Sequence, residues 1–306
     1  LAKKKPVAIM IGNTNDALPQ YGLSQADVLY EAPAEGGITR LMPIFQDYSG
    51  LDKIGSVRSC RHYYAYYAME FDAIYIHYGQ AIYATELLES GKVEDLNGLE
   101  GAIDSATFYR DKSRKAPHNA FVSTDGIDAG IELKGYDTEL PSDYKGHYQF
   151  NEDDEKEIEL TDGADAAVVQ PGYYINNPWF VYNSEDGLYY RFQYKKEHMD
   201  ENTGTQLAFK NILLQYCDYT KLDDAHGYLD VESTGEGTGK YITNGKVIDV
   251  TWKKASENEP TRYYDASGNE ITLNQGKTMV CVLLNDMEKK LNIYATEDEF
   301  TPPSAK

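Results

Sequence analysis

Residues 6–45 read PVAIMIGNTNDALPQYGLSQADVLYEAPAEGGITRLMPIF, and this stretch decides the first half of the fold. Its opening run, 6–12, is apolar and closes on Gly12 and Asn13, the pattern of a buried strand followed by a turn. SQADVLYEA (24–32) and TRLMPIFQD (39–47) predict two more strands, separated by the turn-rich PAEGG. Further on, CRHYYAYYAMEF (60–71) sets Tyr63, Tyr66, Tyr67 and Phe71 at i, i+3, i+4 and i+8, a one-sided helical stripe. AIYIH (73–77) returns to a strand, and QAIYATELLES (80–90) predicts a helix ending at Gly91. Strands alternating with helices imply an α/β or α+β layer arrangement for residues 6–150.

From residue 151 the texture changes. NEDDEKEIEL is an acidic run that suits a linker or an exposed hairpin, and short alternating segments follow it. GKYITNGKVIDVTW (239–252) carries Asn244-Gly245 between two alternating runs, the strongest short-range hairpin signal. YYDASGNEITL (263–273) repeats the pattern, KTMVCVLL (277–284) adds a strand, and TPPSAK closes the chain as a frayed tail. The expectation is an α+β protein of two domains, an α/β-like one over 6–150 and a mostly antiparallel β one over 151–306. Residues 1–5, with their three lysines, read as a remnant of solvated linker after a removed export signal.

The chain has 306 residues and a net charge of −21, a field that repels phosphate backbones and argues against nucleic acid as partner. No apolar run approaches the ~18–20 residues that span a bilayer. Cys60, Cys217 and Cys281 lack zinc-site spacing, so no metal is expected. They read as buried thiols, with Cys217–Cys281 the one conceivable bridge. No phosphate-binding loop or dinucleotide fingerprint occurs, and no cofactor is expected.

The 6–45 segment, with IGSVRSCRHYY (54–64), FDAIYIHYG (71–79), FYRDKSRKAPHNAFVS (108–123) and the 237–280 segment, resembles the YerB-like lipoproteins. These are bacterial, mostly Gram-positive proteins whose conserved region is classed as a domain of unknown function. The resemblance implies an extracytoplasmic protein held on the cell membrane through a lipid on an N-terminal cysteine that would precede residue 1. It implies no particular reaction.

Chemistry concentrates in the first half, which holds five of the seven arginines. Glu31, Glu35 and Arg40 surround the Gly36-Gly37 pair, where two carboxylates could divide acid and base roles or simply pair with arginine. Arg58 and Arg61 stand at the start of the first helix, where free N–H groups favour an anion. Arg110, Asp111, Arg114, His118 and Asn119 share one basic loop, with His118 a candidate proton donor near neutral pH. His77 ends a strand, where ligands gather in open α/β sheets. Tyr63, Tyr64 and Tyr78 are expected to line a groove, since the tyrosines of the first helix cannot all face inward. The expected partner is an anionic cell-envelope ligand (glycan, polymer or peptide carboxylate) bound by the arginines. Two alternatives stay open: an envelope hydrolase or transferase with Glu31 or Glu35 as base and His77 or His118 as acid, and a scaffold for another envelope protein.

Overall fold

The computed structural model describes residues 3–152 and 156–303. Val7–Ile9 (β1), Val28–Pro33 (β2) and Thr39–Phe45 (β3) are buried along their whole length, as continuous apolar runs require when both faces of a sheet are covered. His62–Met69 (α1) and the strands Ile74–His77 (β4) and Asp95–Asn97 (β5) follow. The predicted helix over 80–90 is only a short turn of 3₁₀ helix and Thr85–Glu89. Two further helices, Gly101–Thr107 (α2) and Thr124–Lys134 (α3), were not anticipated. The ends of α3 are nonetheless written in the chain. Ser123 Oγ accepts from the Gly126 amide, and Gly135 closes the helix at φ 68°.

In the second half, Val168–Gln170 (β6), Trp179–Asn183 (β7) and Leu188–Gln193 (β8) belong to a six-stranded sheet. Asn211–Cys217 (β9), Gly235–Thr243 (β10), Lys246–Lys254 (β11) and Thr278–Leu284 (β12) instead continue the sheet begun by β1–β5. The β10–β11 hairpin turns at Asn244 (φ 48°) and Gly245 (φ 73°), the left-handed pair that a two-residue hairpin loop demands. Across the twelve-stranded sheet the order of the labelled strands is β11-β10-β9-β12-β2-β3-β1-β4-β5. Strand β12 runs parallel to both β9 and β2, so the two segments distinguished by sequence share one sheet. With 17% helix and 37% strand the fold is α+β. The acidic run and the tail fall partly on residues 153–155 and 304–306, outside the described residues.

Cys60, Cys217 and Cys281 are buried and free, as the sequence suggested, and the conceivable bridge is not formed. Cys217 and Cys281 sit on adjacent strands, but Cys281 faces Leu214 and Cys217 faces Leu284, an offset of about 10 Å along the strand, beyond disulfide reach. One expectation needs correcting: Tyr63, Tyr64 and Tyr67 all do face inward, with Tyr66 partly buried. Their hydroxyls make this tolerable by capturing backbone groups. Tyr63 donates to Pro33 O at 2.7 Å, and Tyr64 accepts from Ala32 N at 2.8 Å and donates to Arg40 O at 2.6 Å. Tyr63 and Tyr64 therefore pin α1 to the ends of β2 and β3 and line no groove.

Two buried polar networks cross between the halves. Glu31, fully buried in β2, accepts from Arg191 Nη2 of β8 at 2.6 Å and from Asn176, Thr39 and Asn13 at 2.6, 2.7 and 3.1 Å. Arg191 also donates to His198 Nδ1, whose ring is held neutral by burial and by the arginine's charge. Glu70, just past α1, meets Lys254 at 2.6 Å, His147 at 2.5 Å and Thr261 Oγ1 at 2.8 Å. Burial alone would raise the Glu70 pKa, but Lys254 and then His147 override it and hold the group at about 2.

Glu31→Leu leaves the Arg191 guanidinium buried without its partner. Its expected cost is about 3–5 kcal/mol in urea unfolding, part of it recovered by adding Arg191→Met. A single variant as stable as wild type would show that the pair does not join the halves. Because the folded pKa of Glu70 lies below its ordinary 4.5, its contribution is complete above that pH and disappears as pH falls toward 2. Stability curves should show that acid loss, and Glu70→Gln should give a less stable protein with a weaker acid dependence.

Candidate functional site

The sheet brings the first-half arginines together. Ile11–Gly12 pairs with β3 so that Gly12 stands opposite Arg40. A Cβ on Gly12 would lie 3.0 Å from Arg58 Cγ, so the bare backbone lets the Arg58 stem cross directly over it. Arg58 itself is fixed by its amide to Met10 O at 2.8 Å, and Val57 N to Ala120 O at 2.8 Å hangs the 108–119 loop alongside. Arg61 comes from the start of α1. It clasps Glu35 with Nε at 2.9 Å and with Nη2, and its Nη1 donates to Cys60 O at 2.9 Å.

Arg40 is the outlier. It is 4% exposed, yet its guanidinium makes no hydrogen bond among the described residues, and it meets acid only in an ion pair with Glu35 Oε1 at 3.6 Å. Its Nε, and that of Arg58, are buried without a partner. Burial, then the Arg61 charge, lower the Arg40 pKa to about 10. Burial would raise the pKa of Glu35, but Arg61 and Arg40 override it and lower it. Two guanidinium groups thus share one carboxylate, with the Arg58 charge near enough to act on both it and Arg61, in a chain of net charge −21. Arg58 spends one donor on Pro117 O at 2.7 Å. Thr14 Oγ1 and Ser56 Oγ, on the flanking segments, are also buried without partners.

His118 belongs to this group. Its Nδ1 is buried and unpartnered, and burial together with the charges of Arg58, Arg114 and Arg40 keeps its pKa below the usual 6.5. Arg114 is consumed locally, donating to the carbonyls of Pro19 at 2.7 Å and Ala17 at 2.8 Å. Arg110 donates to Asn119 Oδ1 at 2.9 Å and lies 4.1 Å over the Tyr78 ring. Asp111 is taken by Lys53 at 2.6 Å, so Asp111 and Asn119 shape the loop.

The remaining candidates lie apart. Glu31 has both carboxylate oxygens engaged in the inter-half network. His77 is fully buried, with Nε2 3.0 Å from Asp95 and Nδ1 2.9 Å from Gly79 O, a tie between β4 and β5. Sequence reasoning missed Arg191, which takes an inward position of β8 alongside Tyr189 and Gln193. The only signal was an arginine inside an alternating strand, and alternation alone does not say which face is buried. Among the described residues no cluster of His, Cys, Asp and Glu has metal-holding geometry. A groove of about 790 Å³ between Glu70, Glu94, Tyr144 and Arg262 includes none of Arg40, Arg58 and Arg61 in its lining.

These features define a class: α+β proteins whose two halves share one mixed sheet, with an arginine cluster at the end of its central strands. The family model described as "Protein of unknown function (DUF3048) N-terminal domain" matches residues 1–137, and its C-terminal companion matches 169–280. The chain belongs to this family, that of the YerB-like proteins. It is 31% identical over 267 residues to the Bacillus subtilis (strain 168) protein described as "Putative lipoprotein YerB", covering 84% of this chain and 75% of that one. The crystal structure of YerB from Bacillus subtilis superposes with a TM-score of 0.83 at 29% identity, over 95% of this chain and 94% of that one.

In an NMR titration the His118 ring should change charge below pH 6.5, and Arg58→Ala should move that midpoint upward by removing a neighbouring cation. A midpoint above 6.5, or one indifferent to Arg58, would mean that the loop does not sit against the arginines.

Proposed function

We propose that the chain is an extracytoplasmic, lipid-anchored binding protein for an anionic cell-envelope ligand, which Arg40, Arg58 and Arg61 hold beside His118. The address rests on the likeness to a relative described as a lipoprotein. The binding rests on one observation: the Arg40 guanidinium is buried and makes no hydrogen bond among the described residues, and the acid it pairs with at 3.6 Å is already clasped by Arg61. A buried charge with unmade hydrogen bonds is costly, and an arriving carboxylate or phosphate would offset that cost with charge-assisted, planar hydrogen bonds. Binding is favoured over acid–base turnover because Glu31 is sealed inside the protein and Glu35 has both oxygens on Arg61 and is made a weaker base by Arg61 and Arg40.

The reading separates ligand affinity from stability. Inorganic phosphate, followed by calorimetry at low salt, should bind and raise the unfolding temperature, with an affinity that falls as ionic strength rises. Arg40→Met should lower that affinity by roughly 10–100-fold, the equivalent of a charged hydrogen bond. The same variant, freed of a buried charge that makes no hydrogen bond while Glu35 keeps Arg61, should be as stable as wild type or more so without phosphate. If neither phosphate nor acetate binds, or if Arg40→Met binds like wild type, the proposal fails.

A further inference from the structure

Gly12 forms the floor of the arginine face. It stands opposite Arg40 in the sheet. On its other side the Gly12 amide donates to Ser56 O at 3.0 Å and Ile11 pairs with Val57, which sets Ser56 opposite Gly12 as well. Residues directly opposite in antiparallel strands share a face, as do residues two apart along one strand. Arg40, Ser56 and Arg58 therefore share the face of Gly12, where a Cβ would meet Arg58 Cγ at 3.0 Å. Thr14, two residues past Gly12 in extended backbone, falls on the same face, whereas Asn13 points to Glu31 on the other. Arg40 and Ser56 thus flank a residue with no side chain, their backbones two strand spacings or about 10 Å apart. Thr14, Arg58 and His118 are half-buried and bring the rim of this face to solvent, with Arg40 and Ser56 beneath.

The polar groups left over on this face exceed what a carboxylate can use. The Arg40 guanidinium makes no hydrogen bond among the described residues, and Arg58 Nε is unpartnered. Thr14 Oγ1, Ser56 Oγ and His118 Nδ1 are also buried without partners, each on a different segment. A carboxylate has two oxygens in one plane, and a single guanidinium fork takes both. The hydroxyls would then stay unmet, at the cost of any buried polar group without a bond. A phosphate ester is tetrahedral, so two of its oxygens can lie on the fork while its other corners leave that plane toward the neighbouring strand. Hydroxyls donate to such oxygens without adding charge, which suits a place already crowded with cations.

Building on the anion reading, we infer that the group held on this face is a phosphate ester, taken by Arg40 and Arg58 together with the hydroxyls of Thr14 and Ser56.

Calorimetry on the full chain near neutral pH, with ligands matched in charge, tests this. Dimethyl phosphate against acetate compares single charges, and methyl phosphate against malonate compares double ones. At least one ester should bind roughly tenfold or more tighter than its carboxylate match. The better ester tells a terminal phosphate from the diester of a phospholipid or polymer. Thr14→Val combined with Ser56→Ala should bring the ratio to about one. In the wild type, the His118 Nδ1 resonance should move on adding the esters and far less on adding the carboxylates, a readout that does not depend on a variant folding. Carboxylates that bind as tightly as the esters, or a ratio unchanged in the double variant, would overturn the phosphate assignment and leave the arginine site standing. Absence of binding by all four would remove both.

Discussion

A carboxylate with no exposed surface holds the two halves of this protein in register. Glu31 stands in β2 at the seam where β12 lies against it, and its partners come from both segments: Asn13 and Thr39 from the first, Asn176 and Arg191 from the second. Such a group is costly to bury unless every oxygen is met, and here each is. The seam is consequently a polar lock set inside an apolar sheet. It also fixes the position of β2, whose end leads into the strap carrying Glu35, and of β3, which carries Arg40 one residue beyond Thr39. The geometry of the arginine cluster depends on that lock.

The cluster is its electrostatic opposite. Where Glu31 is over-supplied with partners, Arg40 is under-supplied, and the excess positive charge lies in a strongly acidic protein. Burial removes the water that would otherwise screen the three guanidinium groups from one another. Packing enforces the arrangement: the Tyr64 hydroxyl pins the Arg40 backbone, and Gly12 lets Arg58 pass close by. Such repulsion, with one guanidinium making no hydrogen bond, is the physical ground for proposing an anion there.

The legibility of these features in the sequence was uneven. Continuous apolar runs announced β1, β2, β3 and β12, because strands covered on both faces have no polar side to show. Asn244-Gly245 announced its hairpin through local backbone preference alone. The tyrosines of α1 misled, because a phenol counts as half polar in a periodicity argument while in the structure its hydroxyl finds a carbonyl and the whole ring is buried. The arginines were visible as residue types in unusual concentration. Which were free was not, since Arg61 is matched by Glu35, Arg114 by a turn of carbonyls, and Arg40 by nothing at hydrogen-bond distance.

Motif resemblance pointed to the family, and local chemistry settled the α+β class and the stretches from which an anion site would have to be drawn, because strand burial and turn geometry act over a few neighbouring residues. Tertiary structure alone decided that Glu31 would lock the halves together, that Arg191 would travel 160 positions to meet it, and that Arg40 would share an acid already clasped by Arg61. Pairing of charges depends on distances between segments remote in the chain, and those distances exist only once β12 has taken its place beside β2.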